Sequence, residues 1–215
     1  MFNASALASL AVGLLGELVA PSCCAACDAR VGPRVLFCPL CVSSVERVDS
    51  RPGRWIAAFE YGGAVATAIT RLKYEDRADL GPRLGASMSS AASALEGVVD
   101  LVVPVPLHPR RLAERGYNQT LLLAKPVAGH LDVRLSPRAL SRVRDTPRQA
   151  SLDREARLVN VASAFRVREP RVIEGARILL VDDVLTTGAT LEACRKALHE
   201  VGARDVLGLV LARRA

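Results

Sequence analysis

Four apolar residues in succession, Ile178 to Val181, run straight into two adjacent aspartates, Asp182 and Asp183. A strand with one wet face alternates apolar and polar side chains. An unbroken apolar run instead has both faces dry, as in a central strand of a parallel sheet covered by helices on each side. Two more runs have this character, VVDLVVPVP at 98–106 and DVLGLVLA at 205–212. Between them RGYNQTLLLAKPVAGHL (115–131) carries helical spacing that Pro126 should stop or kink, and a second helix is expected from about Ala189 to Val201. Upstream, RWIAAFEYGG (54–63) reads as a strand ending in a glycine turn, followed by a helix over AVATAITRLKYE (64–75). Strands alternating with helices predict an α/β fold with a doubly wound, mostly parallel sheet. Half of the 215 residues are hydrophobic and only 4% aromatic, so a packed core of Leu, Val and Ala is expected.

Ligands of open parallel sheets bind beyond the carboxyl ends of the strands, where the acidic pair lies. The loop that follows, Val184 to Gly188, leads into a helix, so its amides and those of Ala189 are suited to a phosphate. Thr186, Thr187 and Thr190 add hydroxyl donors, and Gly188 permits positive φ and close approach. Asp182 and Asp183 have the wrong charge for a phosphate but suit the hydroxyls of a ribose. A phosphate loop beside diol acceptors describes a ribose 5-phosphate site. Neither G-K-[ST] nor G-x-G-x-x-G occurs, which excludes the Walker and Rossmann loops.

The stretch ILLVDDVLTTGAT (178–190) resembles the phosphoribosyl-diphosphate (PRPP) signature of type I phosphoribosyltransferases. Two further segments, PVPLHPRRLAERGYNQTLLLA (104–124) and LSRVRDTPRQASLDREARLVNVASAF (140–165), are similar to the competence-protein-F (ComF) group, as are the leucine–lysine–tyrosine at 72–74 and an N-terminal four-cysteine module. The resemblance implies PRPP as ligand, bound with Mg2+, and transfer of its phosphoribosyl group to an unidentified nitrogen acceptor with release of pyrophosphate. It implies that Asp182 and Asp183 position the ribose while Thr186, Thr187, Gly188, Ala189 and Thr190 hold the 5-phosphate. Arg110, Arg111 and Arg115, near the second strand end, would neutralise the pyrophosphate. Arg142, Arg144, Thr146 and Gln149 would lie in a basic flap loop near 134–160 that excludes water; that arginine-rich region is expected to be an exposed hairpin or loop. The group's link to natural transformation implies an alternative: a non-catalytic PRPP- or nucleotide-sensing accessory protein in DNA uptake, binding single-stranded DNA or a DNA-processing partner. The formal charge of +7 is compatible with either phosphorylated partner.

Cys24-Ala-Ala-Cys27 and Cys38-Pro-Leu-Cys41 form two C-x2-C knuckles, a spacing that suits a structural Zn2+ site. Cys23 neighbours Cys24 and competes for the place of first ligand, whereas Cys194 reads as a core thiol. A disulfide framework would need an oxidising compartment. The first twenty residues have Glu17 inside their apolar run, no basic start and too little length to span a membrane. Leu7, Leu10, Leu14, Leu15 and Leu18 recur at helical spacing, which predicts a docking helix in a cytoplasmic protein. Two parts follow: residues 1–50, helix and zinc module, and residues 51–215, the phosphoribosyltransferase-like domain, joined at Pro52-Gly53.

Overall fold

The apolar runs become strands. The computed structural model describes residues 22–48, 53–144 and 164–214, so the expected N-terminal helix, Thr146 and Gln149 lie outside the described residues. Its strands are β1 (Trp55–Glu60), β2 (Leu101–Pro104), β3 (Arg134–Leu135), β4 (Leu140–Arg142), β5 (Phe165–Val167), β6 (Arg177–Leu185) and β7 (Asp205–Arg213). Five of them form one sheet in the order β1-β7-β6-β2-β3, every pairing parallel. The longer helices are α1 (Gly63–Tyr74), α2 (Leu80–Ser87), α3 (Pro109–Arg115), α4 (Gln119–Leu131) and α5 (Ala189–His199).

β6 explains why the sheet needs cover on both sides. Leu179 and Val181 pack with Ile69 and Leu72 of α1, Leu84 of α2 and Leu123 and Val127 of α4. Ile178 and Leu180 face the other way, against Leu191, Cys194 and Leu198 of α5. Each such fully buried aliphatic side chain contributes about 1.5–3 kcal/mol relative to exposure. The direction of winding reverses between β2 and β6: from β2 the chain goes outward to β3, from β6 the opposite way to β7. That reversal opens a crevice at the strand ends.

Two expectations are corrected in part. α4 does not stop at Pro126 but continues to Leu131, where Asp132 caps it in the left-handed conformation (φ 52°). The proline ring packs closely on Gly85 of α2, where a methyl would lie 3.0 Å from the ring's Cγ. Of the exposed hairpin or loop expected over 134–160, the structure shows the stem of a hairpin, but two residues join the sheet instead. Arg134 and Leu135 pair with β2 as the sheet's edge strand, and Leu140–Arg142 pair antiparallel with Phe165–Val167, forming the stem of a hairpin.

The cysteine segment does not hang free of the sheet domain. Cys24, Ala25, Phe37 and Cys38 share one core cluster with Ile56, Ile69 and Leu72. Three arginines hold it from below. Arg71 of α1 donates to the Ala25 carbonyl at 3.2 Å and pairs with Asp28. Arg77 reaches Asp28 at 2.6 Å, and Arg83 of α2 donates to the carbonyls of Cys23 (2.7 Å) and Val35 (2.6 Å). Among the described residues no helix is long and apolar enough to cross a membrane.

Candidate functional site

The crevice between β2 and β6 gathers most of the residues singled out in the sequence. β2 pairing ends at Pro104 opposite Val181, after which β6 continues with β7 alone through Asp182, Val184 and Leu185. The acidic pair is therefore part of the strand, one step past its last β2 partner. Strand alternation sends the two side chains to opposite faces.

Asp182 faces the α5 side. With Leu185 and the loop Thr186 to Leu191 it lines an open concavity. Its Oδ1 accepts from the Asp183 amide at 2.8 Å. Burial, reinforced by the neighbouring Asp183 charge, pushes its carboxyl up to about 7. The loop turns at Gly188 (φ 77°), the N-cap of α5, and Thr187 Oγ1 accepts from the Ala189 amide at 3.4 Å. Among the described residues none accepts from the amides of Thr186, Thr187 or Gly188. Successive unpaired amides at a helix start, in a hydroxyl-lined hollow, are the chemistry of an anion site. Trp55 of β1 backs the turn: a methyl on Gly188 would lie 3.7 Å from its Nε1.

Asp183 faces the α1 and α4 side and is 5% exposed. Its Oδ1 receives Lys73 Nζ at 2.6 Å and its Oδ2 receives Gln119 Nε2 at 2.7 Å. Gln119 Oε1 in turn accepts from Arg115 at 2.5 Å. The rest of the RGYNQT segment is pinned as well. Asn118 caps α4 through the Thr120 amide, Thr120 Oγ1 donates to the Val105 carbonyl at 2.5 Å, and Tyr117 donates to the Leu72 carbonyl at 2.6 Å. Neither Lys73 nor Gln119 was expected to hold Asp183. Their signal in the sequence was the leucine–lysine–tyrosine and the Asn-Gln after Tyr117, but nothing local connects either to Asp183.

Of the three expected pyrophosphate arginines, Arg115 joins this network. Arg110 and Arg111 stand on exposed α3, Arg110 paired with Glu114 at 3.0 Å. Arg142 lies in β4 rather than on the loop, its guanidinium 5.5 Å from the Phe165 ring centre, while Arg144 is exposed just past the strand.

A second site lies on the cysteine segment. The sulfurs of Cys24, Cys27, Cys38 and Cys41 lie within 4.8 Å of one another, with Cys27 and Cys38 at 3.6 Å. Cys24, not Cys23, is the first member. About 3.7 Å is the edge of a tetrahedron with bonds near 2.3 Å, so the sulfurs stand where four ligands of one ion would stand. The contact with Cys27, then burial, pushes the Cys41 thiol up to about 12. Four thiols this close resist ionising together unless a cation stands between them.

Several known proteins are similar to this chain. The family model for the phosphoribosyl transferase domain matches residues 118–215. The DNA utilization protein YhgH of Salmonella typhimurium is 30% identical over 199 residues, covering 85% of this chain and 86% of that protein. Competence protein F of Haemophilus influenzae is 35% identical over 115 residues, 53% of this chain and 50% of its own. Among solved structures, the glutamine phosphoribosylpyrophosphate (PRPP) amidotransferase from B. subtilis, complexed with ADP and GMP, aligns with a TM-score of 0.43 at 22% identity, over 62% of this chain and 26% of that one.

Proposed function

Because the chain belongs to the competence-protein-F family, whose sheet domain has the type I phosphoribosyltransferase fold, we propose that it binds PRPP at the β2–β6 crevice and transfers the phosphoribosyl group to a nitrogen acceptor. The observation that carries this is the turn Thr186 to Gly188, whose amides have no acceptor among the described residues, in a concavity shared with Asp182. In the proposed complex the 5-phosphate takes those amides and the hydroxyls of Thr186, Thr187 and Thr190. Asp182 accepts from the ribose 2′ and 3′ hydroxyls, which places C1 toward the ends of β2 and α3. There Arg110 and Arg111 offset charge on the pyrophosphate.

The nitrogen lone pair forms the new bond to C1 as the C1–O bond breaks. Its electron pair leaves on pyrophosphate, and the acceptor's surplus proton passes to solvent or to a pyrophosphate oxygen. Outside the four cysteines, the described residues form no cluster of three metal-ligating groups. Such a site suits Mg2+ arriving on the diphosphate oxygens with at most one carboxylate, Asp182, beside it. When bound, Mg2+ would supply charge neutralisation to the leaving group. The cysteine cluster we assign to a structural Zn2+: four sulfur donors leave no open position for catalysis.

Titration calorimetry with PRPP and Mg2+ tests the binding step, and pyrophosphate release across a panel of bases and amines tests transfer. Absence of both heat and thermal protection by PRPP would sink the proposal. Pyrophosphate release matched by a phosphoribosylated amine would support it.

The printed names of the relatives, DNA utilization protein and competence protein, support a second reading in which the same pocket serves an accessory protein that contacts single-stranded DNA. Arg144 and Arg166, exposed on the hairpin stem, are the candidate phosphate contacts. An R144A/R166A variant should then lose DNA affinity most visibly at low salt; equal binding by both chains would rule these residues out.

A further inference from the structure

The acidic pair looks like one unit in the sequence, yet its two members meet different surroundings. Asp182 borders the concavity. Asp183 does not, and both of its oxygens are engaged, by Lys73 from the last turn of α1 and by Gln119 from the first turn of α4. The Lys73 and Asp183 side chains are 8% and 7% exposed. Desolvating such a pair is costly, so it brings little net stability, but removing one partner strands a buried charge. Its position is informative. It sits where β6 has lost its β2 neighbour and is held in the sheet by β7 alone.

On the premise that the crevice is a PRPP site, we propose that Asp183 is a positioning residue and that Lys73 is its counterpart. Together they form a latch that fixes the free edge of β6 and so aims Asp182 and the Thr186–Gly188 turn. Asp182 is then the only member of the pair that accepts from the ligand. Gln119 completes the latch, and its bond from Arg115 ties α3 into it.

A double-mutant cycle on the full chain tests this, read by melting temperature, by PRPP affinity with Mg2+, and by amide hydrogen exchange of residues 178–190 without ligand. K73M and D183N alone should each lower Tm by about 10 °C through the stranded charge. Each should also weaken PRPP binding and speed exchange at 178–190. The K73M/D183N double variant strands no charge, so it should recover most of the Tm, slow exchange toward wild type, and bind PRPP within about threefold of it. D182N strands no partner, so its Tm should not fall, and it should lose roughly tenfold or more in affinity. Recovery of Tm and exchange in the double variant, with affinity still as low as in D182N, would show that Asp183 touches the ligand and would overturn the proposal. A double variant no more stable than either single would overturn it too. If the wild-type chain had no PRPP affinity, the functional proposal would fall and exchange would still decide the latch. Exchange unchanged in K73M would refute it, and faster exchange in K73M that slows again in the double variant would support it.

Discussion

Replacing Gly208 by alanine probes how the Thr186–Gly188 turn is supported. A methyl at 208 would lie 2.6 Å from Trp55 Cε3 and 2.9 Å from Cζ3, with Leu191 Cδ1 at 3.4 Å on another side. Non-bonded carbons rest near ~3.5 Å, so the indole must retreat by roughly 0.9 Å. Leu191, 2% exposed, closes one direction. The other edge of the ring runs beside Gly188 and the turn. Overpacking of this kind costs about 1–3 kcal/mol, and alanine returns about 0.5–1 kcal/mol of backbone entropy relative to glycine. The net loss should be about 1–2 kcal/mol, a fall in Tm of about 3–6 °C for a chain of this size. Because Trp55 is the only tryptophan, its emission reports the displacement directly, and calorimetry gives the energy. PRPP affinity should drop severalfold alongside, since the ring's shift is passed to the turn. A Tm equal to or above wild type, with unaltered emission, would refute the claim that Gly208 and Trp55 brace the loop.

Gly85→Ala should be worse tolerated, because a methyl there would lie 2.5 Å from the Leu123 carbonyl oxygen, and α2 would have to lift from α4. After the helix-propensity gain of alanine we expect about 2 kcal/mol lost and a Tm lower by about 6 °C, read by circular dichroism. Metal analysis of the purified chain should give one zinc per chain. Chelation should lower Tm by about 10 °C or more, with Cys38→Ser reproducing the effect; a chelated chain melting like the untreated one would exclude a structural ion. Asp182 predicts a pH dependence. Its folded carboxyl is raised to about 7, above the ~3.9 of an unfolded aspartate, so its contribution is complete below that value and is lost as pH rises through about 7. D182N should flatten the decline of Tm between about pH 4 and 7 in scanning calorimetry, and an unchanged slope would contradict a raised carboxyl at Asp182.

The parts of the fold that were legible in the sequence are those written locally. Ile178 to Val181 announces a strand with two dry faces, Gly188 after two threonines announces a turn into a helix, and the two C-x2-C knuckles announce their own convergence. What was not legible depends on contacts between distant residues. Lys73 meets Asp183 across 110 positions and Gln119 meets it across 64, so two like charges side by side gave no hint of being separated by the pleat and paired differently. β3 was hidden because two residues beginning with an arginine carry no periodicity. That α4 runs on past Pro126 was not legible locally, since the helix on both sides of the ring is held by packing on α2 and the sheet. The Trp55–Gly208 contact is likewise set by strand register, β1 beside β7, and neither residue signals it alone.

The three-arginine grip on the cysteine segment bears on how this chain can be divided. Arg71 and Lys73 stand two residues apart on one helix, the first inserted beneath the cysteine knuckles and the second against the carboxylate behind the crevice. Excising residues 1–48 would not trim an accessory; it would strip a wall from the core that Ile69 and Leu72 occupy and loosen the helix that carries both contacts. The two segments therefore stand or fall together as structure, and a shortened chain that misbehaves would say nothing about whether zinc or PRPP was the missing ingredient.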